Sequence, residues 1–182
     1  MVKPYQHNKK KKEKTSMEQW LALPEHTMGD VIDDVLYVND PPFVEHQNVV
    51  VKLTVDIEIH NREFKLGTVL PMETGVFIDD RHAFQPDLVF VSHNNNKAIM
   101  LPKGIVGPPD LVLEIWSPGT KKKDQTIKKD FFERIGVQEY WMVDLASKDS
   151  FGYFLENGKY SEPLQLNSSI QVRIFNNKTF SF

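Results

Sequence analysis

From Leu111 to Trp116 every residue is apolar except Glu114. The run, inside "DLVLEIWSP" at 110 to 118, reads as a buried β-strand. Alternate residues of a strand share a face, so Val112, Glu114 and Trp116 point one way and Leu111, Leu113 and Ile115 the other. A lone carboxylate on a buried sheet face is costly, so Glu114 must be paired, protonated or bound to a metal. A buried salt bridge is one reading and a metal ligand the other. Asp87 brings in the second. It stands at the head of another β-rich run, "PDLVFV" at 86 to 91, on one face with Val89 and Val91. If the two strands are sheet neighbours, two carboxylates converge on one hard cation. Magnesium, or manganese in its place, suits such a pair, because it bonds oxygen and keeps several waters. It acidifies bound water and neutralises charge on a phosphoryl oxygen.

The third charged residue is Lys128, in "KKKDQTIKK" at 121 to 129. A helix is expected from about Asp124 to Ile135, with Ile127, Phe131 and Ile135 four apart and Gly136 as its C-terminal cap. Lys128 then lies at the edge of the buried face, next to Ile127 and one turn from Phe132. From there it reaches back toward Glu114, to position an attacking water or stabilise developing negative charge. The plainer reading is a solvated helix flank. That reading suits Lys121, Lys122, Lys123 and Lys129, which serve otherwise as phosphate contacts that hold DNA without reading its sequence. His46 is a site neighbour or a packed histidine. Glu73, between Pro71 and a strand, is a further pocket acid or a solvent-facing strand end.

These residues need a scaffold, and 182 residues are enough for one domain that buries roughly two-thirds of its unfolded surface. The absence of cysteine removes disulfides, thiolate zinc sites and thiol nucleophiles, and fits a reducing cytoplasm. No apolar run is long enough to span a bilayer. The net charge of −3 excludes a bulk polycation. Residues 1–16, with "KKKKEK" at 9 to 14, read as a flexible basic tail, and 17–182 as a single domain. Within it, "MEQWLALP" supports a short helix capped by Ser16, and "DVIDDVLYV" two strands about an Asp33-Asp34 turn. Residues 43 to 60 form a long helix with His46, Val50, Leu53 and Ile57 on one face. "EFKLGTVLPM", "TGVFIDD", "PDLVFV", "DLVLEIW" and "VQEYWMVDL" are strands, and short strands follow from 150. Residues 92 to 109 read as a long connection, functional or disordered, and as the first suspect for target specificity. The sum is an α/β plan, a mixed twisted sheet flanked by helices.

"PDLVFV" followed by "GPPDLVLEIWSPGTKKKDQTIKKDFFERIGVQEYWMVD" resembles the large bacterial Uma-type family of restriction-endonuclease-like proteins, within the PD-(D/E)XK nuclease superfamily. The likeness runs from about residue 17 to 160. It is carried by Pro86-Asp87, Glu114 to Pro118, Lys121 to Asp124, Lys128, Gly136-Val137 and Glu139 to Trp141. It implies a restriction-endonuclease-like core that hydrolyses DNA with a metal ion, Asp87 and Glu114 being ligands. The wider superfamily has its lysine two residues after the glutamate, where this chain has Trp116, so Lys128 takes that part. Gly119 and Phe132 stand where relatives often show Ser and Tyr. A second reading is a nuclease fold kept as a DNA-binding or protein-binding module without turnover. A homodimer suits cleavage of both strands. No phosphate-cradling glycine loop, nucleophile elbow or zinc-ligand histidine spacing is present.

Overall fold

The computed structural model describes residues 15–24, 27–116, 121 and 124–182. Its first sheet is built from β1 (Gly29–Ile32), β2 (Val35–Val38), β4 (Gly75–Asp79), β5 (His82–Phe84), β7 (Ile99–Leu101) and β8 (Gly104–Val106), in the order β2-β1-β5-β4-β8-β7. The second contains β3 (Gly67–Pro71), β6 (Leu88–Ser92), β9 (Leu111–Trp116), β10 (Glu139–Asp144), β11 (Asp149–Glu156) and β12 (Lys159–Tyr160), in the order β12-β11-β10-β9-β6-β3, with β13 (Leu164–Asn167) also on β11. A hairpin of β14 (Ser169–Val172) and β15 (Lys178–Ser181) ends the chain. The helices are α1 (Ser16–Leu21), α2 (Val44–Phe64) and α3 (Lys129–Ile135), the last preceded by a π-helical turn, Asp124–Lys128. This is the mixed α/β architecture expected.

Side-chain alternation sorts the core into layers. Ile32, Val76, Phe84 and Ile105 of the first sheet meet Val89, Val112, Trp116, Tyr140 and Met142 of the second, with Phe132 of α3 closing one end. On the far face of the second sheet, Leu88, Phe90, Leu111, Leu113 and Ile115 pack on Val50, Leu53 and Ile57 of α2 and on Ile170, Phe175 and Phe180 of the terminal hairpin. Every residue of β9 is buried, as a central strand covered on both faces requires. β9 and β10 run parallel, joined by the crossover that carries the π turn and α3.

Several elements differ from the sequence expectation. Thr15, rather than Ser16, caps α1, in a reciprocal capping box with Glu18. Ser16 is already helical, and its hydroxyl donates to the carbonyls of Asp79 and His82. The long helix continues to Phe64 and stops at Lys65, which has a left-handed φ of 53°. Residues 92–109 are an ordered connection containing the β7–β8 hairpin, anchored where Asp110 accepts from Ser92 N–H and Asn95 Nδ2.

The largest difference follows Glu114. A regular helix would bury Ile127, Phe131 and Ile135, yet Ile127 is 40% exposed, whereas Asp124, Lys128 and Phe132 are each no more than 2% exposed. The π turn inserts a residue and rotates the buried face onto this second set. Gly136 caps α3 as expected, with φ 93°.

Candidate active site

The site forms where the chain passes from one sheet to the other. Phe84 ends β5, Leu88 starts β6, and Gln85-Pro86-Asp87 makes the crossing. β6 pairs with β9 so that Leu88 opposes Leu113. One step on, just before β6 begins, Asp87 stands level with Glu114. Asp87 Oδ2 accepts the N–H of Ile115 at 2.7 Å and lies 3.2 Å from His46 Nε2. The same imidazole nitrogen is 3.1 Å from the Ile115 carbonyl oxygen, which only accepts, so Nε2 carries a proton. Burial, the largest influence on His46, lowers its pKa. The Asp87 carboxylate and the Ile115 carbonyl outweigh it, and the pKa is raised.

Glu114 is 4% exposed, and its Oε1 lies 2.7 Å from Lys128 Nζ. Lys128 is also 3.4 Å from Asp124 Oδ1 and 3.6 Å from Asp30 Oδ2. Asp30 comes from β1 of the other sheet, where its Oδ1 accepts Gln85 N–H at 3.0 Å while Gln85 Oε1 accepts Gly29 N–H at 2.9 Å. Tyr140 donates its hydroxyl proton to the Asp124 carbonyl at 3.1 Å, fixing the π turn against β10.

Glu114 therefore does sit in a buried salt bridge, the reading that needs no chemistry. The charge balance is what sets the pocket apart. Among the described residues, Asp30, Asp87, Glu114 and Asp124 are all buried, against one buried ammonium, Lys128, and the His46 ring. Burial first, then the charges of Asp124, Asp87 and Asp30, hold the Glu114 carboxyl well above its ordinary range in spite of Lys128. Burial alone would lower the Lys128 pKa, but Asp30, Glu114 and Asp124 together raise it well above normal. A buried pocket with more acid than base holds protons or takes up a cation. All-oxygen donors suit a hard divalent ion. Among the described residues no three His, Asp or Glu side chains are arranged to hold a metal. Two carboxylates completed by water or phosphate oxygens are a sufficient set for magnesium.

Asp87, Glu114, Lys128 and His46 are thus brought together. Glu73 is not part of this group: it is exposed in the turn after β3, beside Gln47 and Val51 of α2, with a positive φ of 72°. Lys121 pairs with Asp144 at 2.7 Å and lies over the Trp116 ring. Lys129 lies over the rings of Tyr153 and Tyr160. Lys122 and Lys123 fall outside the described residues. Asp30 and Asp124 were missed from the sequence. Asp30 carried the signal that exposed Glu114, an acid within an apolar β-run, and Asp124 is four residues before Lys128.

Comparisons with known proteins bear on the family and the fold. The family model described as "Uma2: Putative restriction endonuclease" matches residues 17–177. A crystal structure from Anabaena variabilis, described as a putative nuclease belonging to DUF820, superposes with a TM-score of 0.73 at 18% identity, over 93% of this chain and 95% of that one. At that identity the likeness establishes the fold. No curated protein matches the chain. With Asp87, Glu114 and Lys128 all inside a match that spans nearly its whole length, the chain belongs to the Uma2 family of restriction-endonuclease-like proteins.

Proposed function

We propose that the protein is a metal-dependent endonuclease that hydrolyses DNA phosphodiester bonds, with Asp87 and Glu114 as ligands of one magnesium or manganese ion and Lys128 as the catalytic cation. The observation that carries this reading is the surplus, among the described residues, of buried carboxylates around Lys128, between two sheets of a nuclease-family fold. A bound divalent ion would supply an acidified water and neutralise charge on the phosphate. Asp87 is held for this role by Ile115 N–H and the His46 ring. Lys128, fixed by Glu114, Asp124 and Asp30, is a preset donor for the phosphate oxygen on which negative charge develops. The water oxygen forms its bond to phosphorus as the bond to the leaving sugar oxygen breaks. Preset positions for ligand and cation keep reorganisation small at that moment.

The test is cleavage of supercoiled and linear DNA with magnesium, manganese or a chelator, by the parent and by Asp87→Asn, Glu114→Gln, Lys128→Ala and Glu73→Gln. Removing one preset electrostatic group commonly lowers rate by about 10²–10³-fold, and this loss is expected for the first three variants. Glu73→Gln should cleave like the parent. Equal cleavage by every variant, or cleavage indifferent to the chelator, would sink the reading.

A further inference from the structure

Helix α2 is apolar on two opposite sides. Inward, His46, Val49, Val50, Leu53, Ile57 and Asn61 are buried against the second sheet and its loops. Outward, Val44, Val51, Val55 and Ile59 are 77, 59, 49 and 61% exposed. Spacings of seven, four and four residues set these four in one straight stripe. Phe43 and Phe64 stand exposed at its two ends. A groove runs alongside, formed by Val51, Thr54 and Val55 with Pro71 and Met72 of the β3–β4 turn. A continuous exposed apolar strip of this length marks an interaction surface.

Charges beside the stripe identify the occupant. Lys52 and Asp56 share a flank at a spacing of four, yet neither side chain has an ion pair or hydrogen bond with any described residue. The same spacing does close between Glu58 and Arg62, at 2.6 Å. In two antiparallel helices related by a two-fold axis between them, the same flank of each faces its mate. With that axis beside Thr54, Lys52 of one copy stands opposite Asp56 of the other, and this happens twice. Val51 and Val55 then interdigitate with Val55 and Ile59 of the second copy. Asp56 and Glu63 on this flank disfavour nucleic acid or an anionic membrane as the occupant. The same axis sets Glu63 of one copy opposite Glu45 of the other, where Glu45 already holds its own Lys148 at 2.7 Å and that ammonium offsets the two acids. We propose that this outer face of α2 is the contact through which two copies of the chain form an antiparallel, two-fold dimer. The 21 residues of α2 give a strip about 31 Å long and 10–12 Å across. With the Pro71–Glu73 turns lying alongside, the buried area approaches the roughly 1,000 Å² at which specific interfaces begin.

The test is the mass of the full chain by sedimentation equilibrium over a range of concentrations. The 21.1 kDa chain should double its mass as concentration rises. Val55→Glu, at a position already exposed, should return it to a monomer with an unchanged circular dichroism spectrum. Lys52→Asp should weaken the dimer at least tenfold by setting like charges opposite each other, and Lys52→Asp with Asp56→Lys should restore it. The chain has no cysteine, so Val55→Cys under mild oxidation should give a covalent dimer. A monomer at every concentration, a dimer indifferent to Val55→Glu, or a double charge variant as weak as the single one would each overturn the proposal.

Discussion

Glu114 and Glu139 are buried glutamates on neighbouring parallel strands, with Leu111 level with Glu139 and Glu114 level with Met142. They face opposite sides of the sheet and are satisfied in different ways. Glu139 is 2% exposed; its Oε1 accepts Ile174 N–H at 2.5 Å, and its Oε2 accepts Arg173 N–H at 3.1 Å. These are the free amides of the 3₁₀ turn between β14 and β15, so Glu139 ties the terminal hairpin to the sheet. Neutral donors close that carboxylate. Glu114 has an ammonium on one oxygen and three further acids nearby. A buried acid completed by amide protons belongs to the architecture, while one surrounded by other acids is held ready for a positive charge.

The difference can be broken most severely at Lys128. Lys128→Ala leaves Asp30, Glu114 and Asp124 buried without their cation, and urea unfolding should register a loss of about 3–5 kcal/mol. Adding Glu114→Gln to that variant should recover part of the loss, because it removes one of the stranded charges. No recovery would mean that the acids are not coupled through the lysine. Next in size is magnesium. Ligand that binds only the folded state at 100 times its dissociation constant stabilises by about 2.7 kcal/mol, so thermal unfolding of the parent and of Glu139→Ala should both shift upward. Glu114→Gln should show no shift, and an equal shift in all three would place the ion elsewhere.

Glu139→Ala should cost about 1–3 kcal/mol by stranding the two amides, with faster hydrogen exchange at Arg173 and Ile174 and unchanged DNA cleavage. Lost cleavage with intact folding would erase the distinction between the two glutamates. The smallest effect is one of pH. Burial, the largest influence, holds the Glu139 pKa above normal against the lowering effect of the Ile174 and Arg173 amides. Its contribution to stability is fully present below the ordinary carboxylate pKa and declines as pH rises through the raised folded value. Stability measured against pH should therefore fall less steeply across that window in Glu139→Gln than in the parent. Parallel curves would show that Glu139 is not the titrating group.

Composition and periodicity determined a good deal. An acid in the apolar run at 111 to 116, a second heading 86 to 91 and a basic helix after them could be read directly, because in a strand a residue's face follows from its parity. Asp87 level with Glu114 only needed β6 and β9 to be neighbours. The cap at Gly136 followed from local rules, and the long helix did too, though it runs about a turn past its expected end at His60 to stop at Lys65. What faces Lys128 was decided by tertiary structure alone. A regular period placed Ile127 inside and Lys128 at the rim; the π turn reversed them, because the lysine gained Glu114 from β9, Asp30 from the other sheet and Asp124 one turn back. The desolvation of a buried ammonium is offset here by one local acid, Asp124, together with Glu114 and Asp30, which only the packed fold brings to it. The chain's order shows that an acid is out of place in a strand, and only the packed fold brings it the cation and the other acids.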